Sequence, residues 1–159
     1  MATETATATS EVSTETGDWK AGVIGGLAAS VVFGLMMAYV IPAPLLEVVI
    51  PSMYGLAPPE APFVGWVIHL SHGAVLGVGF AALVGLKPSV GERAGASLGV
   101  GAAYGLAVWV ALAVIVMPVW LSAAGSPANP PLPNVSALSA IGHLAYGIVL
   151  GGAYAGLAD

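Results

Sequence analysis

His69, His72 and His143 are the only histidines of this 159-residue chain, and all three fall inside long apolar stretches. An imidazole in such a place is costly to bury unless it is paired, so by default it marks a functional site. Spacing narrows the chemistry. Trp66-Val67-Ile68-His69-Leu70-Ser71-His72-Gly73-Ala74-Val75-Leu76-Gly77 returns 74 positions later as Ala140-Ile141-Gly142-His143-Leu144-Ala145-Tyr146-Gly147-Ile148-Val149-Leu150-Gly151. Two neutral imidazoles on facing helices, His69 and His143, could supply both axial ligands of a haem b iron. Gly73 and Gly147, one turn beyond them, would make room for the flat macrocycle. Alternatively, His69 and His72 lie three apart on one helix face and could join His143 around a metal ion, although no carboxylate accompanies them as catalytic zinc would need. Proton relay or contact with a quinone headgroup is a further use. Against all of these stands a structural role, in which each imidazole hydrogen-bonds to a backbone carbonyl or to Ser71 or Ser139 across a helix contact.

The elements that must position these residues follow from composition. With 58% hydrophobic and 7% charged residues the chain lies outside the range of soluble domains. Four windows carry the apolar mass: Ala21 to Ile41, Pro62 to Leu86, Ala94 to Leu121 and Val135 to Leu157. Each exceeds the roughly 20 residues that cross a bilayer as a helix, and unpaired backbone amides are too costly in hydrocarbon for isolated strands. The predicted fold is an all-α membrane protein with four transmembrane helices. Lys20, Lys87 and Arg93 are the only basic residues and fall on one side of such a bundle. The positive-inside rule makes that side cytoplasmic and puts both termini there, in a multi-pass protein of the cell membrane. Tyr39, Phe63, Trp66 and Trp120 at the outer boundary and Trp19 at the inner one suit an interfacial belt.

The repeat extends beyond the histidines. Lys20-Ala21-Gly22 opens the first half as Arg93-Ala94-Gly95 opens the second, and Val40-Ile41-Pro42 closes the first span as Val116-Met117-Pro118 closes the third. The pattern is that of a tandem duplication of a two-helix hairpin, residues 18–86 and 91–159, with a pseudo-two-fold axis along the membrane normal. Such an axis puts His69 and His143 at equal depth, ~11 Å inside the outer end of their helices. Small residues recur four apart on every span: Gly22, Gly26, Ser30 and Gly34; Gly65, Gly73 and Gly77 around His69; Ser97, Gly101 and Gly105; Ser139, Gly147 and Gly151 around His143. Strips of this kind let helix backbones approach closely, or admit a planar ligand.

Other motifs point to little chemistry. Gly99-Val100-Gly101-Ala102-Ala103-Tyr104-Gly105 misses a dinucleotide fingerprint by one position and lies in a span. Gly85-Leu86-Lys87-Pro88-Ser89 lacks the residues that flank a P-loop lysine. No two carboxylates share a span, serines lack an acid partner, and the absence of cysteine excludes disulfides and thiolate chemistry. Residues 1–17, rich in Thr, Ala and Glu, read as a disordered acidic cytoplasmic tail. A net charge of −5 argues against nucleic-acid partners. Pro42 to Pro51 frames a short apolar segment suited to lie on the interface or to cap the bundle, whereas Ser126 to Pro133 should be extended and stiff. Asn134-Val135-Ser136 is a formal glycosylation sequon whose serine is placed to open the fourth span.

The acidic Thr/Glu tail, the small-residue first span, the Trp66 to Val75 segment, Met117-Pro118-Val119-Trp120-Leu121, the Pro130 to Ser136 loop and Gly142-His143-Leu144 together resemble a family of small haloarchaeal four-span membrane proteins without assigned function. Some members carry the label "histidine kinase", yet this chain has no ATP-binding domain or soluble phosphoacceptor helices, and its histidines lie in spans. The resemblance brings no catalytic residues with it. The expected function is a non-enzymatic structural or accessory subunit of a membrane assembly, as a homo-oligomer or within a respiratory-type complex. The alternatives are haem b or quinone-linked electron transfer through His69 and His143, and a small transporter or channel.

Overall fold

The computed structural model describes residues 17–158, so the acidic tail lies, apart from Gly17, outside the described residues. Four helices are long and apolar enough to cross a membrane: span 1 (Trp19–Tyr39), span 2 (Pro62–Gly85), span 3 (Ala94–Ala123) and span 4 (Ala137–Leu157). No strand occurs among the described residues. The chain is therefore a small polytopic all-α membrane protein. Asp18 caps span 1, its carboxylate accepting from the amides of Lys20 (2.9 Å) and Ala21 (3.0 Å), and Ser136 caps span 4 by accepting from Ser139 N at 3.3 Å. These side chains satisfy amides that the first turn of a helix leaves without partners.

Small residues decide which helices touch. The backbones of spans 1 and 2 meet at Gly22 with Gly77 and at Gly26 with Gly73, each glycine facing the other's carbonyl. Spans 3 and 4 meet in the same way, Gly101 against Gly147, with Gly151 on the Ser97 carbonyl and Gly105 on the His143 carbonyl. Without a hydrophobic force between helices in lipid, this close approach, with its van der Waals and Cα–H···O contacts, is what holds the pairs together. Span 1 also packs along span 4, where Gly25 meets Leu150 and Gly142 accepts the Phe33 ring. At the inner end Asp18 N donates to Tyr154 Oη at 3.0 Å. Spans 2 and 3, by contrast, hardly meet. Tyr104 bridges them, donating to the Leu76 carbonyl at 2.8 Å with its ring 5.5 Å from that of Phe80. A strict two-fold relation between the hairpins would make the contact of spans 2 and 3 equal to that of spans 1 and 4. The packing between hairpins departs from it, although both hairpins are joined by glycine contacts along their small-residue strips.

The loop between spans 1 and 2, read from the sequence as the first outer loop, caps the bundle. Its segments Leu45–Val49 and Ile50–Ser52 are helical, with Leu46, Ile50, Pro51 and Ser52 buried, and the Leu46 carbonyl rests on Gly65. Tyr39, Phe63 and Trp19 are exposed at helix ends as an interfacial belt requires, but Trp66 turns inward onto Gly34. Close approach to a glycine has won over the interface there.

Span 3 departs from regular helix. It is α-helical over Ala94–Val108, π-helical over Trp109–Val116 and α-helical again over Met117–Ala123. Pro118 has no N–H and Met117 N already bonds five residues back to Leu112 O, so the Ala113 and Val114 carbonyls find no donor at either position. Asn134 supplies both: its backbone N–H donates to Val114 O at 3.0 Å and its side-chain amide to Ala113 O at 3.3 Å. The sequon asparagine is thus committed inside the fold. Asn134→Leu is expected to cost about 1–2 kcal/mol of stability, and less in a Pro118→Ala background, where a restored N–H reaches one of the two carbonyls. Equal costs in both backgrounds, measured by denaturation in micelles, would disconnect the two residues.

Candidate functional site

Each histidine is positioned by its helix and by one partner. His69, 9% exposed on span 2, points to span 1, where its Nε2 lies 2.9 Å from the Ser30 carbonyl. His143, half-buried on span 4, bonds through Nδ1 to the Ser139 carbonyl of its own helix at 2.8 Å. A carbonyl can only accept, so these are the protonated nitrogens, and Nδ1 of His69 and Nε2 of His143 are left as bare acceptors. Both rings pack against Phe33 of span 1, with centroids 5.6 Å and 4.7 Å away and edge-on geometry. The two histidines therefore touch one and the same phenyl ring.

Axial ligation of a porphyrin needs two ring nitrogens facing each other across an open slot, whereas here both imidazoles lie against the Phe33 ring. The glycines expected to make room are also spent. A Cβ at Gly73 would overlap Ser30 Oγ and meet the Gly26 carbonyl, and one at Gly147 would overlap the Gly101 carbonyl. Gly73 receives a further bond, from Tyr146 Oη to its carbonyl at 2.8 Å.

His72 stands apart from the pair. Its Nε2 lies 2.7 Å from Tyr54 Oη of the first outer loop, and Tyr54 in turn packs on Trp120 at 5.9 Å between centroids. The three histidines are not drawn together, and no group of three His, Cys, Asp or Glu side chains able to hold a metal forms among the described residues.

The site thus resolves into two aromatic–imidazole clusters, one inside the bundle around Phe33 and one on the seam of spans 2 and 3 around Tyr54. Sequence reasoning missed Phe33, Tyr54 and Tyr146 as partners. A faint signal existed for two of them: Phe33 follows Ser30 by three residues on the face of the glycine strip, and Tyr146 replaces His72 in the repeat. Tyr54 had none, because its contact depends on how a loop folds back. No family model, curated protein or solved structure matches this chain.

Proposed function

We propose that this protein is a non-enzymatic structural or accessory subunit of a membrane assembly, working with further copies of itself or with other membrane proteins. The observation that carries the reading is the state of the two repeated histidines: each gives its N–H to a helix carbonyl, and each packs edge-on against Phe33. They serve as packing and hydrogen-bonding groups within the bundle. Span 3 adds support, since its tight contact is with span 4 and much of its apolar surface faces outward.

The same reading includes the orientation and the ancestry. Lys20, Lys87 and Arg93 lie at one end of the bundle, which favours cytoplasmic termini in the cell membrane. The corresponding glycine contacts within the hairpins favour descent from a duplicated hairpin, and the sequence resemblance favours kinship with the haloarchaeal family.

Gentle purification from native membranes, followed by native mass spectrometry and a reduced-minus-oxidised visible spectrum, tests this role. The expected result is a complex of several copies or of several different subunits, with no haem band. A lone monomer without companions would overturn the subunit role. A haem band that vanishes in His69→Ala and His143→Ala would replace it with electron transfer.

A further inference from the structure

We propose that the outer third of span 3 and the first outer loop form a latch, hinged at Trp109–Val116, that closes the outer half of the seam between spans 2 and 3. This goes beyond a subunit role and does not depend on it.

The hinge is a place where the helix is held from outside itself. Over Trp109–Val116 the backbone takes the wider π pitch, and beyond it Pro118 interrupts the hydrogen-bond ladder. The two carbonyls thereby released are held by Asn134, a residue of the following loop. Bonds to a loop residue can be exchanged without unwinding the span, whereas an uninterrupted α-helix would have to break its own ladder to bend.

The piece beyond the hinge, Met117–Ala123, carries the catch. Trp120 Nε1 donates to the Met53 carbonyl at 2.7 Å, and its ring packs on that of Tyr54. Tyr54 reaches across to His72 on span 2, with 2.7 Å between its hydroxyl oxygen and Nε2. These contacts form one chain from span 3 through the loop to span 2. Among the described residues the other hydrogen bond across the seam is that of Tyr104 to Leu76, beside Phe80, farther from the outer end of span 2 than His72. Above that bridge spans 2 and 3 are joined through the loop. Pro118 and Leu121, both fully buried, set the closed position. With the latch open, the His72 imidazole faces the seam and becomes reachable from the bilayer side.

The chain has no cysteine, so nitroxide labels at introduced cysteines report without background. Phe63→Cys at the outer end of span 2 and Ala123→Cys at the end of span 3 replace exposed residues across the seam. Pulsed electron–electron distances are measured in lipid nanodiscs on otherwise native protein, then on protein carrying Trp120→Phe, Tyr54→Phe or Pro118→Ala. The latched protein should show one dominant distance and a small longer population. Tyr54→Phe keeps the ring and loses one hydrogen bond, Trp120→Phe keeps an aromatic ring but loses the indole N–H and part of the packing, and each should raise the longer population at least about tenfold, the factor for a bond of ordinary strength. Pro118→Ala should abolish it. Unchanged distributions in both Phe variants, with melting curves showing them folded, would overturn the latch. A longer population that persists in Pro118→Ala would overturn the hinge. Tyr54→Phe removes a single oxygen from a half-exposed loop residue, so it keeps the test decisive if the tryptophan variant fails to fold.

Discussion

Replacing Gly73 with alanine is expected to unseat span 2 from span 1 and to cost about 3 kcal/mol, the upper range for overpacking a tight contact. The added methyl would overlap Ser30 Oγ, which already occupies the space a side chain would need, and would come within 3.0 Å of the Gly26 carbonyl. Neither obstacle is the free end of a flexible chain. Ser30 is fully buried, and the Gly26 carbonyl belongs to a helix whose position is fixed by the Gly22–Gly77 contact one turn away. Relief therefore requires the helices to separate, which loses neighbouring contacts as well. Gly99→Ala is the matched control: it lies in the same kind of glycine-rich helix, but a Cβ there meets nothing within 4 Å. It should be neutral or stabilising by up to ~1 kcal/mol, because alanine has less backbone freedom to lose. Helicity followed during denaturant titration in mild micelles compares the two. Similar midpoints for both variants would mean that close backbone approach does not hold this fold together.

Phe33→Ala is the second substitution with a large expected effect, again about 3 kcal/mol by the cost of truncating a buried phenylalanine. Phe33 is 6% exposed and touches three residues on two other helices: His69 on span 2, and His143 and Gly142 on span 4. It is thus the point at which span 1 ties the two hairpins together. Gly142 has no side chain to refill the space, so collapse is limited and a cavity should persist. Part of the loss belongs to the ring–imidazole contacts, at about 1 kcal/mol each. A double-mutant cycle with His143→Ala isolates one of them, and costs that simply add would show that the imidazole takes no part in the packing.

The spans were legible because apolar length is a strong signal: the windows read from sequence begin and end within a few residues of the helices. The small-residue strips were legible too, since a spacing of four is a helical spacing wherever it occurs. What a strip faces is a different matter. Glycine says only that something comes close, and here that something is another backbone on span 1 or span 3 and not a macrocycle. Phe33 was hidden because a single phenylalanine in an apolar span carries no periodic signal, yet its place beside both histidines decides what they can do. Asn134 was seen as a sequon, although Pro118 sixteen residues earlier already implied a carbonyl in need of a donor. Pairing across a loop is not written in local spacing. The open seam of spans 2 and 3 was equally invisible, since the repeat suggested symmetric packing and only the assembled bundle breaks it.

The order of contacts has a consequence for how the chain is made. Span 1 finds span 2 as soon as the first hairpin leaves the ribosome, but span 3 packs tightly only on span 4, which is synthesised last. Span 3 must therefore wait in the bilayer with little to lean on, and it is the most apolar of the four helices, the one best suited to lipid on all sides. Span 4 is the least apolar. It enters when spans 1 and 3 already present their packing faces, and it docks on both. Its residence in the membrane should therefore owe less to its own hydrophobicity than to spans 1 and 3, which precede it in the chain and supply its packing faces.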